Sequence, residues 1–141
     1  MKIVCVDYGK ARIGIAKSDA LGMLASPIGT LHEKNFRIQV EKFVEILKNE
    51  NADKILYGMP YNMDGSEGET AALVREFAGK VSDIIDIEYD FIDERLSTVS
   101  AHRILNDVSM SGSKKRKNVV DTVSAVILLQ AYLDKNSRAS L

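Results

Sequence analysis

The chain has 141 residues, 45% hydrophobic and 28% charged, with a formal net charge of −1. That length and balance fit one globular domain and exclude a repeat or low-complexity architecture. The near-neutral charge excludes the overall basicity of a general nucleic-acid binder, so any basic contact has to be local, and the single cysteine excludes an internal disulfide.

Lys2–Tyr8 and Arg12–Ser18 are rich in Val and Ile and flank a short connection containing Gly9, the pattern of a β-hairpin. Alternation puts Ile3, Cys5 and Asp7 on one face and Val4, Val6 and Tyr8 on the other. Apolar residues on both sides predict a central strand covered above and below. A third strand over Leu24–Leu31 carries Pro27 and Gly29, which suit an edge. Phe36, Val40, Phe43, Val44 and Leu47 recur at helical spacing and predict a helix over Phe36–Glu50. Lys54–Met59 reads as a buried strand and Pro60–Gly68 as a loop. Ser66 and Glu69 have the spacing of a capping box, predicting a helix from about Glu67 to Val81.

Ile87–Asp93 is the next strand, and Ser97 caps a predicted helix through about Asn106. Asp107–Asn118 is polar, contains Gly112 and three serines, and reads as a mobile loop. It carries the consecutive Lys114, Lys115, Arg116 and Lys117. Val119–Leu133 is apolar nearly all round, predicting a buried helix capped by Asn118, with Asn136–Leu141 as a frayed tail. Strands joined first by hairpins and then alternating with helices predict a single α/β domain over residues 1–141, a mixed sheet with helices on its faces. No segment approaches the ~20 apolar residues of a membrane span, and the N-terminus enters a strand without the pattern of a secretory leader. A soluble, cytoplasmic protein is expected.

Three acidic sites stand out. Asp7 ends a buried strand, where a carboxylate is costly unless paired, hydrogen-bonded or bound to metal. It either accepts from the Gly9–Ala11 amides or serves chemistry. Asp93 and Glu94 end a later strand and point to opposite faces, with Arg95 next to them as a partner for either. Asp121 opens an apolar helix; the helix dipole favours an acid there, but does not account for its apolar surroundings. Converging carboxylates repel and suit Mg²⁺ or Mn²⁺, and two such ions promote phosphoryl displacement. Gly58–Ser66 leads to a helix N-terminus able to offer amides to a phosphate, and Lys114–Lys117 could clamp a nucleic-acid backbone.

Four segments in order carry a resemblance: Asp7-x-Gly9-x-x-Arg12-x-Gly14-x-Ala16, then Gly58–Ser66, then Asp93-Glu94-Arg95-Leu96-Ser97-Thr98, then Val120-Asp121 leading to Ile127-Leu128-Leu129-Gln130-x-Tyr132-Leu133. Together they cover nearly the whole chain and resemble the YqgF-type, or RuvX-type, family of pre-16S rRNA nucleases, also described as Holliday-junction resolvases. The resemblance implies an RNase H-like fold whose five-stranded mixed sheet has three antiparallel strands followed by parallel ones, with helices on both faces. It implies that Asp7, Glu94 and Asp121 are catalytic and hold one or two divalent ions, Mg²⁺ or Mn²⁺, which selects Glu94 over Asp93. Ser124 stands where alanine is expected.

The leading expectation is a metal-dependent nuclease acting on precursor ribosomal RNA or pre-ribosomal particles. Arg12, Asn62, Arg95, Lys114, Lys115, Arg116 and Lys117 would contact phosphates. A resolvase of DNA four-way junctions shares that chemistry, and no dimer face is evident in the sequence. A noncatalytic RNA-binding assembly factor is a third class, which the retention of all three acids disfavours. An actin-like phosphotransferase would need two such domains.

Overall fold

The computed structural model describes residues 1–96 and 114–139; of residues 96, 114–121 and 137–139 the backbone alone is described. The predicted helix from Ser97 and most of the polar segment after it lie outside the described residues.

Strands β1 (Ile3–Asp7), β2 (Arg12–Ser18), β3 (Ala25–His32), β4 (Lys54–Met59) and β5 (Glu88–Asp93) form one sheet in the order β3-β2-β1-β4-β5. The β1–β2 and β2–β3 pairs are antiparallel, and β1–β4 and β4–β5 are parallel. The five-stranded mixed sheet is therefore the expected one. β3 lies at an edge and its register with β2 shifts at Ile15/Ala16, so Pro27 and Gly29 sit where lost pairing costs least.

Strand alternation sorts the core into two layers. Val4, Val6, Tyr8, Ile13 and Ile15 pack with Val40, Phe43 and Leu47 of α1 (Phe36–Asn49) and Val74, Phe77 and Val81 of α2 (Glu69–Ile84). Ile3, Cys5, Ala16 and Leu56 face the other way, onto Ala125, Leu128, Leu129 and Leu133 of α3 (Lys114–Ala139). Each fully buried large side chain contributes about 1.5–3 kcal/mol of transfer free energy. β1 is buried throughout, as a strand apolar on both faces requires.

Three local expectations change. Ser66 does not cap α2: its hydroxyl and its N–H both donate to Asp64 Oδ1, and the helix begins two residues later than expected, with Gly68 as N-cap. An aspartate two residues ahead offers Ser66 a local partner that competes with the cap. Lys114–Lys117 and Asn118 belong to α3 and not to a loop, and the helix runs on through Ala139, replacing most of the predicted tail. Lys and Arg are good helix formers, so a charge run extends an apolar helix readily. Among the described residues, no helix is long and apolar enough to cross a membrane.

β1, β4 and β5 run parallel, so their carboxyl ends share one edge of the sheet. Asp7, the 60–66 loop and Asp93–Arg95 all emerge there, the usual location of sites in α/β sheets.

Candidate active site

Asp7 is the last residue of β1 and only 4% exposed. It pairs with Gly14 of β2. On the other side, β4 pairs Val6 with Tyr57, so the next residue, Gly58, lies beside Asp7. Directly paired residues share a face, which leaves Asp7 flanked on the α3 side by two glycines. Beyond Gly14 the row continues to Thr30 of β3, whose Oγ1 is 2.6 Å from the Oγ1 of Thr122. Asp121 immediately precedes Thr122 in α3. Its backbone is thereby stationed at the end of the row that holds Asp7, while its side chain lies outside the description.

Glu94 begins the single 3-10 turn after β5 and is also 4% exposed. A Cβ placed on Gly58 would stand 2.9 Å from Glu94 Oε1 and 2.8 Å from Leu128 Cδ1. The carboxylate therefore lies over Gly58, beside the position of Asp7 and on the same face. A third group senses both acids. Burial, and after it the charges of Asp7 and Glu94, push the Cys5 thiol well above its ordinary pKa. Cys5 is consequently an inert part of the floor and not a nucleophile.

Asp93 has a different assignment. Its carboxylate receives Arg95 Nε at 3.0 Å and Nη2 at 2.8 Å, and this charge-assisted pairing lowers its pKa. Arg95 Nη1 donates to the carbonyls of Asn62 at 3.2 Å and Met63 at 3.4 Å, and the guanidinium lies 5.4 Å from the centre of the Tyr61 ring. Asn62 in turn donates from its backbone to Ser66 O and from Nδ2 to Ser66 Oγ, both at 2.9 Å, closing the loop on itself. Arg95 and Asn62, expected at phosphates, thus hold the 60–66 loop against the end of β5. Arg12 starts β2 opposite His32, half-buried at the rim. The turn before it is tight, since a Cβ on Gly9 would come within 2.6 Å of the Arg12 carbonyl oxygen. Lys114–Lys117 form the first turn of α3, with their side chains outside the description.

Gln39 escaped the sequence reading. It is buried in α1, donates from Nε2 to the carbonyls of Lys10 (2.9 Å) and Glu33 (2.6 Å), and accepts from Tyr8 Oη at 2.9 Å. It pins the turn that follows Asp7. The available signal was a polar residue on the apolar stripe of a helix, three positions after Phe36.

Two buried carboxylates side by side are hard oxygen donors whose mutual repulsion a divalent cation relieves, so the residues present suit such an ion. Among the described residues, no three His, Cys, Asp or Glu side chains gather closely enough to hold an ion alone.

Comparison with known proteins places this geometry in context. The RuvX family, described as Holliday junction resolvase, matches residues 1–135. A protein of Endomicrobium trichonymphae named "Putative pre-16S rRNA nuclease" is 42% identical over 136 residues, covering 96% of this chain and 97% of its own. Proteins of the same name from Ruegeria sp. (strain TM1040) and Ruminiclostridium cellulolyticum are 41% and 40% identical, covering 94% and 96% of this chain and 84% and 95% of their own. Among solved structures, Thermus thermophilus RuvC in complex with a Holliday junction has a TM-score of 0.60 at 10% identity, covering 97% of this chain and 96% of that one. The Fowlpox virus resolvase with its junction DNA has a TM-score of 0.60 at 11% identity, over 96% and 99%. At those identities the likeness establishes the fold, an RNase H-like resolvase fold, while the full-length relatives establish the family. The chain belongs to the RuvX family of nucleases.

Proposed function

We propose that this nuclease hydrolyses phosphodiester bonds of precursor ribosomal RNA, with Asp7, Glu94 and Asp121 holding Mg²⁺ or Mn²⁺. The observation that carries the reading is the burial of Asp7 and Glu94 on one face, at the shared carboxyl edge of three parallel strands. Two acids kept from solvent at one edge of the sheet are difficult to explain as surface charge. Asp121 is the third acid this reading assigns to the ion, supported by its backbone position one residue before Thr122, which meets Thr30 at the end of the Asp7 row. The substrate class follows the names of the relatives.

Asp7, Glu94 and Asp121 would hold the ion, and the chemistry it would supply is a lowered pKa for attacking water and neutralisation of charge on the phosphate. The protein's part is positional. Asp7 is fixed by its place in β1 and by the turn that Gln39 pins. Glu94 is placed by the end of β5, with its carboxylate over Gly58. Arg12, at the start of β2, and Lys114, Lys115, Arg116 and Lys117, in the first turn of α3, are the cations this reading assigns to the phosphate backbone. Arg95 and Asn62 contribute by ordering the 60–66 loop that the backbone would meet.

The test is a cleavage assay with Mg²⁺ or Mn²⁺ on precursor 16S ribosomal RNA, generic single-stranded RNA and four-way DNA junctions. Metal-dependent cleavage of the precursor, lost in Asp7→Asn and in Glu94→Gln, supports the proposal. Cleavage confined to the DNA junction would replace the substrate, and undiminished cleavage by both variants would remove the assigned acids.

A further inference from the structure

Gly58 interrupts an otherwise apolar strand, where glycine packs nothing and weakens pairing. Its backbone does not call for glycine: the glycines with positive φ among the described residues are Gly22, Gly29 and Gly65, and Gly58 is ordinary extended strand. The reason has to be steric. A Cβ there would meet Leu128 Cδ1 at 2.8 Å, Glu94 Oε1 at 2.9 Å and Glu94 Cγ at 3.5 Å.

The two obstacles differ in their freedom to yield. Leu128 is fully buried in the layer formed by Cys5, Leu56, Ala125 and Leu129, where a shift of one side chain disturbs its neighbours. Glu94 is also buried, at 4% exposed, but it leaves a three-residue turn at the sheet's edge and its carboxylate ends a longer side chain, with one more rotatable bond than leucine's. An added methyl would therefore displace the carboxylate, moving it off the row that Asp7 occupies.

From this steric asymmetry we propose that Gly58 is a positioning residue: its missing side chain is the seat that holds the Glu94 carboxylate beside Asp7, closed from above by Leu128. The proposal rests on the reading of Glu94 as a metal ligand. Because Gly58 lies on the same row as Asp7, one small residue sets the separation of two acids that arrive from different strands. Residues that orient metal ligands without touching the ion typically change affinity by ~10–100-fold when altered.

The experiment is calorimetric titration of the metal-free protein with Mn²⁺, beside thermal unfolding, for wild type, Gly58→Ala, Leu128→Ala, Gly58→Ala/Leu128→Ala and Glu94→Gln. Val74→Ala, in the opposite core layer, reports the effect of destabilisation alone. Gly58→Ala is expected to weaken Mn²⁺ binding by ~10-fold or more, and Val74→Ala to leave it within about threefold. The double variant gives the added methyl room on the helix side, so it should be more stable than the sum of its single changes while binding Mn²⁺ as weakly as Gly58→Ala. It also carries the test if the single variant does not fold. Wild-type affinity in Gly58→Ala, or in the double variant, with affinity lost in Glu94→Gln, would overturn the seat and leave the metal reading standing. Unchanged affinity in Glu94→Gln would overturn the metal reading itself, and the seat with it.

Discussion

Replacing Asp7 by Asn changes one charge and almost no volume, and its effect on stability has a sign that a turn-anchoring role would reverse. Strands in a sheet lie about 4.8 Å apart, and the Glu94 carboxylate lies over the position beside Asp7. At a separation of about 6 Å and an effective dielectric of ~20, two unit charges repel by ~3 kcal/mol. Asn keeps a carbonyl oxygen in place but gives up charge-assisted contacts, which returns part of that gain. A net stabilisation of ~1–2 kcal/mol in chelator is expected. With an unfolding entropy near 0.3 kcal/mol/K for this length, Tm should rise by about 3–7 °C. A saturating metal reverses the ranking: at ~100 times its Kd it adds ~2.7 kcal/mol to wild type and little to the variant. Thermal unfolding in chelator and in excess Mn²⁺ reads both effects. If Asp7→Asn is destabilised by 2 kcal/mol or more in chelator, or keeps the metal-induced rise in Tm, the reasoning fails and Asp7 anchors the turn.

Tyr57 Oη is buried without a hydrogen-bond partner, among the rings of Phe43, Phe77, Tyr89 and Phe91, so Tyr57→Phe should stabilise by ~1 kcal/mol in urea unfolding. A loss of that size would show that the hydroxyl is satisfied in solution. Glu50 accepts from Lys2 at 2.7 Å and lies 3.4 Å from Lys17, and these contacts, the Lys2 hydrogen bond foremost, hold its carboxyl below the usual range. A lowered folded-state pKa stabilises above the unfolded value and is lost as pH falls through the folded one. Glu50→Gln should therefore cost ~0.5 kcal/mol at pH 7, a gap that closes as acid protonates the folded-state carboxyl; a gap independent of pH would rule the ion pairs out. Neutralising Lys114–Lys117 together should weaken RNA binding and flatten its salt dependence by ~0.7 per lost phosphate contact, and an unchanged slope would place the backbone elsewhere.

Most of the fold was legible because its signals are local and periodic. Alternation in β1 correctly separated Val4 and Val6 from Ile3 and Cys5, and these now lie in different core layers. The helical stripe from Phe36 to Leu47 marked α1 to within a residue. What failed was competition between local partners. Ser66 had the right spacing to cap α2, yet Asp64 is nearer and takes both its donors. The basic run looked like a loop because its charge signals solvent, whereas a helix with one wet end accommodates it equally well. At the site, alternation separated Asp93 from Glu94 but gave no means of choosing between them; resemblance chose Glu94, and the structure adds that Arg95 occupies Asp93. The seat at Gly58 was beyond reach, since it depends on Glu94 and Leu128 approaching from elements 36 and 70 residues away.

The parallel pairing of β4 with β5 acts as a selector between two adjacent acids. In the observed register Gly58 faces Ile92 and Met59 faces Asp93. A slip of one residue would exchange the faces, bringing Asp93 over the glycine and turning Glu94 towards α1 and α2. Such a chain would also lose the packing of Tyr89 and Phe91 on Tyr57. Arg95 ties the two strand ends together in the observed alignment: its other nitrogens hold Asp93 in the same segment while Nη1 donates to the carbonyls of Asn62 and Met63 beyond β4. The bonds from Arg95 to the loop after β4 thereby couple strand alignment to which of two adjacent carboxylates shares a face with Asp7.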